Sequence, residues 1–260
     1  VHAREIVGVA GVEGNGQKEL VALLAGDLAP TRGTVAAGPT AIIREDRQSE
    51  GLVLDAPLRD NLVLGELGRF TRRGVLDLIA LEWEARRRLE RSGAVRGAPA
   101  APARVEVGAS SASGEGAERG GGASAGDETA AALDRPARTL SGGNQQKLVV
   151  ARALARDASV IVAAQPTRGV DLAASLDIHA DLAAAAERGA GVLVISADLD
   201  ELRRLASRIV VLARGRIVGE LPPTASDDEL GRLMLGVAAP PATSDARAPT
   251  DVANARGSGP

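Results

Sequence analysis

The chain opens with a short aliphatic run, Glu5-Ile6-Val7-Gly8-Val9-Ala10. It passes directly into Gly11-Val12-Glu13-Gly14-Asn15-Gly16-Gln17-Lys18 and then into Glu19-Leu20-Val21-Ala22-Leu23-Leu24-Ala25, closed by Gly26. The first run reads as a buried strand, and the last has apolar residues at helical spacing and stops at a glycine. Strand, glycine loop, helix is the unit of parallel sheets, because a strand that leads into a helix returns to the sheet by a crossover. Ala41-Ile42-Ile43, Val160-Ile161-Val162-Ala163-Ala164 and Val192-Leu193-Val194-Ile195 are further aliphatic strands, each separated from the next by helical or turn signals. The prediction is an α/β fold with a mainly parallel sheet flanked by helices. Ile209 to Leu212 and Arg216 to Gly219, on either side of Ala213-Arg214-Gly215, read as a hairpin, so the sheet is expected to finish antiparallel.

With one Phe, one Trp and no Tyr among 260 residues, Val, Leu, Ile and Ala have to fill the core, which suits strands buried on both faces. The same scarcity of rings removes a stacking platform, and a net charge of −3 gives no electrostatic footprint for a polynucleotide, so no nucleic-acid partner is expected. The chain has no cysteine, which excludes disulfides and thiolate metal sites and agrees with a reducing compartment. No apolar run approaches the ~18 residues of a membrane-spanning helix. The expected location is cytoplasmic, with any membrane role reached through a partner.

One globular unit, residues 1–236, is predicted. Between Gly93 and Arg135 the larger aliphatics are only Val95, Val105, Val107 and Leu133, among Ala, Gly, Ser, Pro and charge. Such a segment cannot offset its ordering entropy and is expected to be a disordered insert, as is the tail from Val237 to Pro260. Residues 82–90 place Glu82 four positions before Arg86 and Glu84 four before Arg88, the pattern of a solvated helix face.

The glycine loop carries the first chemistry. A phosphate cradle needs glycines so that backbone N–H groups turn inward, a lysine for the β- and γ-phosphates and a Ser or Thr on Mg²⁺, spaced G-x-x-x-x-G-K-[ST]. Gly11, Gly14 and Gly16 keep the glycine pattern, but Gln17 stands at the lysine position and Lys18 at the hydroxyl position. A second anion site is expected at Leu140-Ser141-Gly142-Gly143-Asn144-Gln145-Gln146-Lys147, where a serine hydroxyl and two glycine amides introduce a helix running from Gln145 to Leu154.

With these segments in hand, the chain resembles the second nucleotide-binding domain of the fused two-domain ATPases of bacterial simple-sugar and nucleoside ABC importers. The likeness covers about Glu5 to Gly236 outside the insert. It is carried by the signature run, by the glycine loop, by Glu45-Asp46-Arg47, by Gly51-Leu52-Val53-Leu54-Asp55 and by Ala163-Ala164-Gln165-Pro166-Thr167-Arg168-Gly169-Val170-Asp171. The Ala-Ala-Gln-Pro-Thr-Arg-Gly form is more similar to the nucleoside and general sugar branch than to the ribose branch. The resemblance implies a P-loop NTPase fold of the ABC type, with a helical signature subdomain over about 52–150 and a truncated N-terminal antiparallel β-subdomain. It also implies two strands and an adenine-stacking aromatic ahead of the loop, so Val1 is expected to be a cut point.

Carried over residue by residue, the resemblance makes Gly11, Gly14, Asn15, Gly16, Gln17, Lys18 and Glu45 the chain's own nucleotide site, with Glu45 at the Q-loop position. Ala164 stands where a metal-linked Asp is usual, Gln165 where the catalytic Glu is usual and Ala197 where the switch histidine is usual, while Asp171 matches the D-loop aspartate. A positioned general base is worth about 10²–10⁴ in rate and a metal clamp several kcal/mol more, so this half is expected to be inactive by itself and to hold no metal. His2 and His179 do not supply the missing base: His2 is terminal, and His179 is expected to have a surface or packing role. Ser141, Gly142, Gly143 and Gln145 are then expected to serve ATP, with Mg²⁺, on a partner domain. The implied partners are a first nucleotide-binding domain, membrane-embedded permease subunits and, indirectly, an extracytoplasmic solute-binding protein, with the chain peripheral at the cytoplasmic face of the membrane. Two alternatives stay open at this stage: a soluble ABC module outside transport, and a non-functional truncated product.

Overall fold

The computed structural model describes residues 1–36, 38–95 and 125–236. Strand β1 (Ile6–Ala10) leads through the glycine loop into α1 (Gln17–Ala25), and β2 (Thr40–Ile43) follows. A helical region comes next: one π-helical turn over Arg47–Gly51, α2 (Leu58–Val63), the short strands β3 (Thr71–Arg72) and β4 (Val75–Leu76), α3 (Leu78–Ser92), α4 (Ala125–Leu133) and α5 (Gly142–Leu154). The chain then alternates through β5 (Val160–Ala164), α6 (Leu172–Glu187), β6 (Gly191–Ser196) and α7 (Leu199–Leu205). It ends in the hairpin β7 (Arg208–Ala213) and β8 (Arg216–Leu221), followed by α8 (Asp227–Met234).

The main sheet has the order β2-β5-β6-β1-β7-β8, parallel throughout except for the β7–β8 hairpin. Alternate residues of each strand enter opposite faces. Val7, Val9, Val162, Leu193 and Ile195 pack under Val21 of α1, while Ile161, Ala163, Val192 and Val194 join Ile178 and Leu182 of α6 and Leu202 of α7. Every residue of β6 is buried, which is why Val192 to Ile195 reads as an unbroken aliphatic run. Gly8 in β1 is the exception in size: an added Cβ would lie 3.2 Å from both Ala206 and Leu202, so α7 sits closer to the sheet than a side chain there would allow. The outer end of β1 is tied to the hairpin by charge. Arg208 Nε donates to Glu5 at 2.7 Å and its Nη1 to Glu220 at 2.9 Å. The Arg208 hydrogen bond, helped by the His2 backbone N–H, holds the Glu5 carboxyl down at about 2.

Residues 1–5 form a turn ahead of β1. Among the described residues, antiparallel strand pairing is confined to β3–β4 and to β7–β8.

In the helical region α2, α3 and α5 share a core of Leu58, Leu62, Leu81, Ala85, Leu89 and Leu148. Two sequence expectations are corrected there. The face around residues 82–90 is not simply solvated: Arg88 is 1% exposed and is clasped by two buried carboxylates. Its Nε donates to Glu84 at 2.8 Å, and its Nη1 and Nη2 donate to Glu66 at 2.8 and 3.1 Å. Nη1 also reaches the Leu62 carbonyl at 2.8 Å. The periodicity of α3 identified the Glu84–Arg88 pair but carried no sign of Glu66, which comes from the other side of the packing interface. The expectation of disorder is overturned at the end of the insert, where α4 forms and buries Ala132 and Leu133; the stretch 96–124 and the tail 237–260 lie outside the described residues. Leu133, the one large aliphatic in that part of the sequence, is what anchors α4.

Burial alone would raise the Glu66 and Glu84 carboxyls. Hydrogen bonds from Arg88, seconded by Arg69 at Glu66 and Arg87 at Glu84, outweigh it and hold both below the usual carboxylate range. Because their folded-state pKa values are depressed, this cluster contributes stability above the ordinary carboxylate range, and the contribution is lost as pH falls through the depressed values. Removing Arg88 leaves two buried carboxylates without their main partner, which costs about 3–5 kcal/mol. Arg88→Ala is therefore expected to lower urea-unfolding stability by that amount at pH 7, and the gap to the wild type should narrow as titration moves toward pH 3. Equal stability of the two proteins at pH 7 would show that the clasp is not what holds α3.

Candidate functional site

The parallel register places the ends of β1, β5 and β6 level. Ala10 lies beside Ser196 and Ala164 beside Ile195, so the loops after these strands emerge along one edge of the sheet. They line a cleft of about 1520 Å³ together with the start of α1 and the turn Arg47–Gly51. The cleft collects most of the sequence-predicted site: Gly11, Gly14, Gly16, Gln17 and Lys18 from the first loop, Glu45 after β2, and Ala164, Gln165 and Ala197 on the floor.

The loop needs its glycines. Gly14 and Gly16 have φ of 87° and 105°, backbone that L side chains rarely adopt, and a Cβ on Gly16 would lie 3.2 Å from the Gly215 Cα of the β7–β8 turn. Asn15 points away from the cleft and pins the loop to that turn and to the end of α8: its Oδ1 accepts from Arg214 N at 3.1 Å, and its Nδ2 donates to the Met234 carbonyl at 3.3 Å. Gln17 folds back, its Nε2 donating to the Val12 carbonyl at 2.9 Å, so its amide closes the loop. Lys18, exposed in the first turn of α1, lines the cleft.

The floor is neutral. Ala164 is buried at the end of β5, and Gln165 follows with φ of 48°. The left-handed backbone at Gln165 is fixed by its N–H, which donates to the Ile195 carbonyl at 2.7 Å. Its side-chain Oε1 accepts from Ala197 N at 3.4 Å, linking the two positions that lack their expected functional groups. Beneath them is a network that sequence reading did not find. Glu201 of α7, 3% exposed, accepts from Thr167 Oγ1 at 2.8 Å and contacts His179 Nε2 of α6 at 3.0 Å. It ties the loop after β5, α6 and α7 together. His179 thus has the packing role expected of it, and Thr167 and Glu201 reach the cleft wall.

On the opposite wall Glu45 pairs with Arg168. Arg47 donates to the carbonyls of Arg168 at 2.8 Å and of Gly169 at 3.3 Å. Neither arginine stood out as functional in sequence, because what distinguishes them is contact between segments more than a hundred residues apart.

The signature residues are not part of this cleft. Ser141 caps α5, its exposed hydroxyl accepting from Asn144 N at 3.3 Å, and the helix starts at Gly142, earlier than the expected Gln145. Gly142 and Gly143 are pressed from behind: an added Cβ would lie 2.7 Å from Arg47 Nη2 at the first and 3.0 Å from the Ala174 Cβ at the second. Asp171 caps α6 through Ala174 N at 2.8 Å. Gln145, 4% exposed, faces inward; it donates to the carbonyls of Ala137 and Leu140 at 3.3 and 3.2 Å and accepts from Gln48 at 3.3 Å. It is therefore a brace within the fold.

This geometry fits a phosphate chain and does not fit a divalent metal. A glycine loop at the start of a nine-residue helix, with a lysine in its first turn, is a cradle for phosphate oxygens. The positions that would hold Mg²⁺ carry an ammonium at Lys18 and a methyl at Ala164, and among the described residues no group of His, Cys, Asp or Glu is arranged to hold a metal ion. Nor does any aromatic ring line the cleft.

Among the described residues no helix is long and apolar enough to cross a membrane. The profile of the ABC transporter family matches residues 1–168. The chain is 35% identical over 236 residues to the ribose import ATP-binding protein RbsA 1 of Streptomyces avermitilis, covering 85% of this chain and 39% of that protein. It is 34% identical over 254 residues to the nucleoside import ATP-binding protein NupA of Lactococcus lactis, covering 91% of this chain and 44% of that protein. The chain thus spans about two fifths of the length of these curated relatives, 39% and 44%. Among solved structures, it superposes on an ATP-binding subunit of an ABC transporter with a TM-score of 0.64 at 19% identity, over 90% of this chain and 89% of the other. It superposes on an ATP-binding cassette dimer in a post-hydrolysis state with ADP and Pi with a TM-score of 0.60 at 20% identity, over 86% of this chain and 87% of the other. The fold is therefore that of an ABC-type P-loop ATPase, and the chain belongs to the ABC transporter family.

Proposed function

We propose that this chain is the second ATP-binding half of an importer ATPase for simple sugars or nucleosides. In this reading it lends Ser141, Gly142 and Gly143 to ATP held on a partner domain, while its own cleft does not hydrolyse. One contrast carries the reading. The signature turn is complete, with a capped helix start and an exposed serine, while the cleft of the same domain has Ala164, Gln165 and Ala197 on its floor. A hydroxyl and helix-terminal amides aimed outward stabilise charge on a phosphoryl group in transfer, and that is the main catalytic task in such reactions.

The import relatives support the transport setting. Their identities do not separate the sugar branch from the nucleoside branch: 35% for the ribose protein stands beside 34% and 32% for the nucleoside and guanosine proteins. The partners in this reading are a first nucleotide-binding domain, permease subunits and, through them, an extracytoplasmic solute-binding protein, with the chain peripheral at the cytoplasmic face of the membrane. Mg²⁺ belongs to the partner domain's site.

Ser141→Arg in the assembled transporter is expected to lower ATP turnover by about 100-fold, the loss typical of one removed transition-state donor, and to abolish uptake. Gln165→Ala in this chain's own cleft is expected to leave turnover unchanged. Normal ATPase activity and uptake in the Ser141→Arg transporter would sink the reading, and so would a collapse of turnover on Gln165→Ala.

A further inference from the structure

The cleft is lined by four cationic and eight acidic side chains, and one of the cations has no partner among the described residues. Cationic residues lining it are Lys18, Arg44, Arg47 and Arg168. Arg44 is paired with Asp27, Arg168 with Glu45, and Arg47 is spent on two backbone carbonyls. Among the described residues Lys18 alone of the four has neither an ion pair nor a hydrogen bond. The carboxylates near the floor are committed in the other direction: Asp198 caps α7 through Asp200 N and Glu201 N, and Glu201 is held by Thr167 and His179. An ammonium without a partner therefore stands beside a glycine cradle; Glu13, Glu19 and Glu50 also line the cleft, but the end of β5 offers alanine where a carboxylate could hold a metal.

We propose that the cleft binds the polyphosphate chain of a nucleotide without a divalent cation, the Lys18 ammonium supplying the positive charge; this rests on the reading of the cleft as a non-hydrolytic nucleotide site. In the usual arrangement a lysine follows the last glycine of the loop and a hydroxyl and a carboxylate help to hold Mg²⁺. Three departures here act together. Gln17 takes over closing the loop by donating to Val12, and the lysine charge moves one position along α1 to where the hydroxyl would stand. Ala164 removes the carboxylate that would otherwise attract the ammonium and hold it away from phosphate. A lysine, a divalent ion and one carboxylate together contribute about +2, whereas Lys18 beside a neutral alanine contributes about +1. The cradle thus keeps one positive charge for a phosphate chain while losing the Lewis acid, which fits binding without turnover.

The test is a calorimetric titration of the full 260-residue chain with inorganic tripolyphosphate, once in EDTA and once in excess Mg²⁺. Binding in EDTA is expected to be at least as tight as in Mg²⁺, because the metal competes for the ligand's charge. Lys18→Ser is expected to weaken the EDTA affinity by about tenfold or more, the loss of one charge-assisted hydrogen bond, and Lys18→Arg to restore most of it. Lys18 is exposed, so circular dichroism should show both variants folded. ATP in EDTA is expected to displace tripolyphosphate. Binding that requires Mg²⁺, an unchanged affinity in Lys18→Ser, no binding in either buffer, or failure of ATP to compete would each overturn the proposal. The titration does not depend on signature function, so its failure and a failed Ser141→Arg experiment are separate results.

Discussion

The register of three neighbouring strands governs the rest of the molecule. With Ala10 beside Ser196 and Ala164 beside Ile195, the glycine loop, the Gln165 turn and the Ala197 turn leave the sheet at the same height. A slip of one residue in β5 would exchange its faces, moving Val162 and Ala164 from the α1 side to the α6 side, where Ile161 and Ala163 already pack. Both faces being buried makes that exchange costly, so hydrophobic burial far from any ligand sets the relative positions of the groups on the cleft floor. The loops inherit their geometry from the core.

An almost ring-free core also explains where polar groups are buried. Val, Leu, Ile and Ala pack the sheet well, but the helical region has to meet the sheet across a seam of loops whose backbone groups need partners. Side chains supply them. Asn61, 1% exposed, closes the loop before α2 by exchanging hydrogen bonds with the Val53 N–H and carbonyl at 2.8 and 2.9 Å. Arg152 donates to the Gly51 carbonyl at 2.6 Å and to the Asn61 carbonyl at 3.1 Å, and burial with Arg156 nearby pushes it down to about 10. Gln146, 1% exposed, reaches the Pro166 carbonyl at 2.8 Å. These residues hold the seam between the two regions while Arg88 holds the helical region itself.

What could be read from sequence follows the same division. The strands were legible because burial on both faces leaves unbroken aliphatic runs, and the glycine loop was legible because its φ values admit little else. The signature helix was legible from Ser141-Gly142-Gly143, although its start at Gly142 was not, since glycines argue against helix until the serine cap is seen in place. By contrast, Glu66 and Arg88 lie 22 positions apart, and Thr167 and Glu201 lie 34 apart, so no local period joins them. A buried arginine and an exposed one have the same letter. Leu133 looked like a stray aliphatic in a disordered insert because its partners, in α2 and α3, are distant in sequence. Asn15 and Gln145 carry family-typical positions, yet their side chains face the fold.

The cleft and the signature turn are also joined mechanically. The turn Arg47–Gly51 lines the cleft, and the same turn touches α5 through Gln48 and Gln145 at 3.3 Å and through Gly51 and Arg152 at 2.6 Å. Arg47 carries the contact onward, with its Nη2 packed behind Gly142 while it holds the Arg168 and Gly169 carbonyls. None of these contacts involves Ala164, Gln165 or Ala197. The wall that shapes the cleft is thus also the support of the signature helix, so the packing of α5 constrains the shape of the cleft.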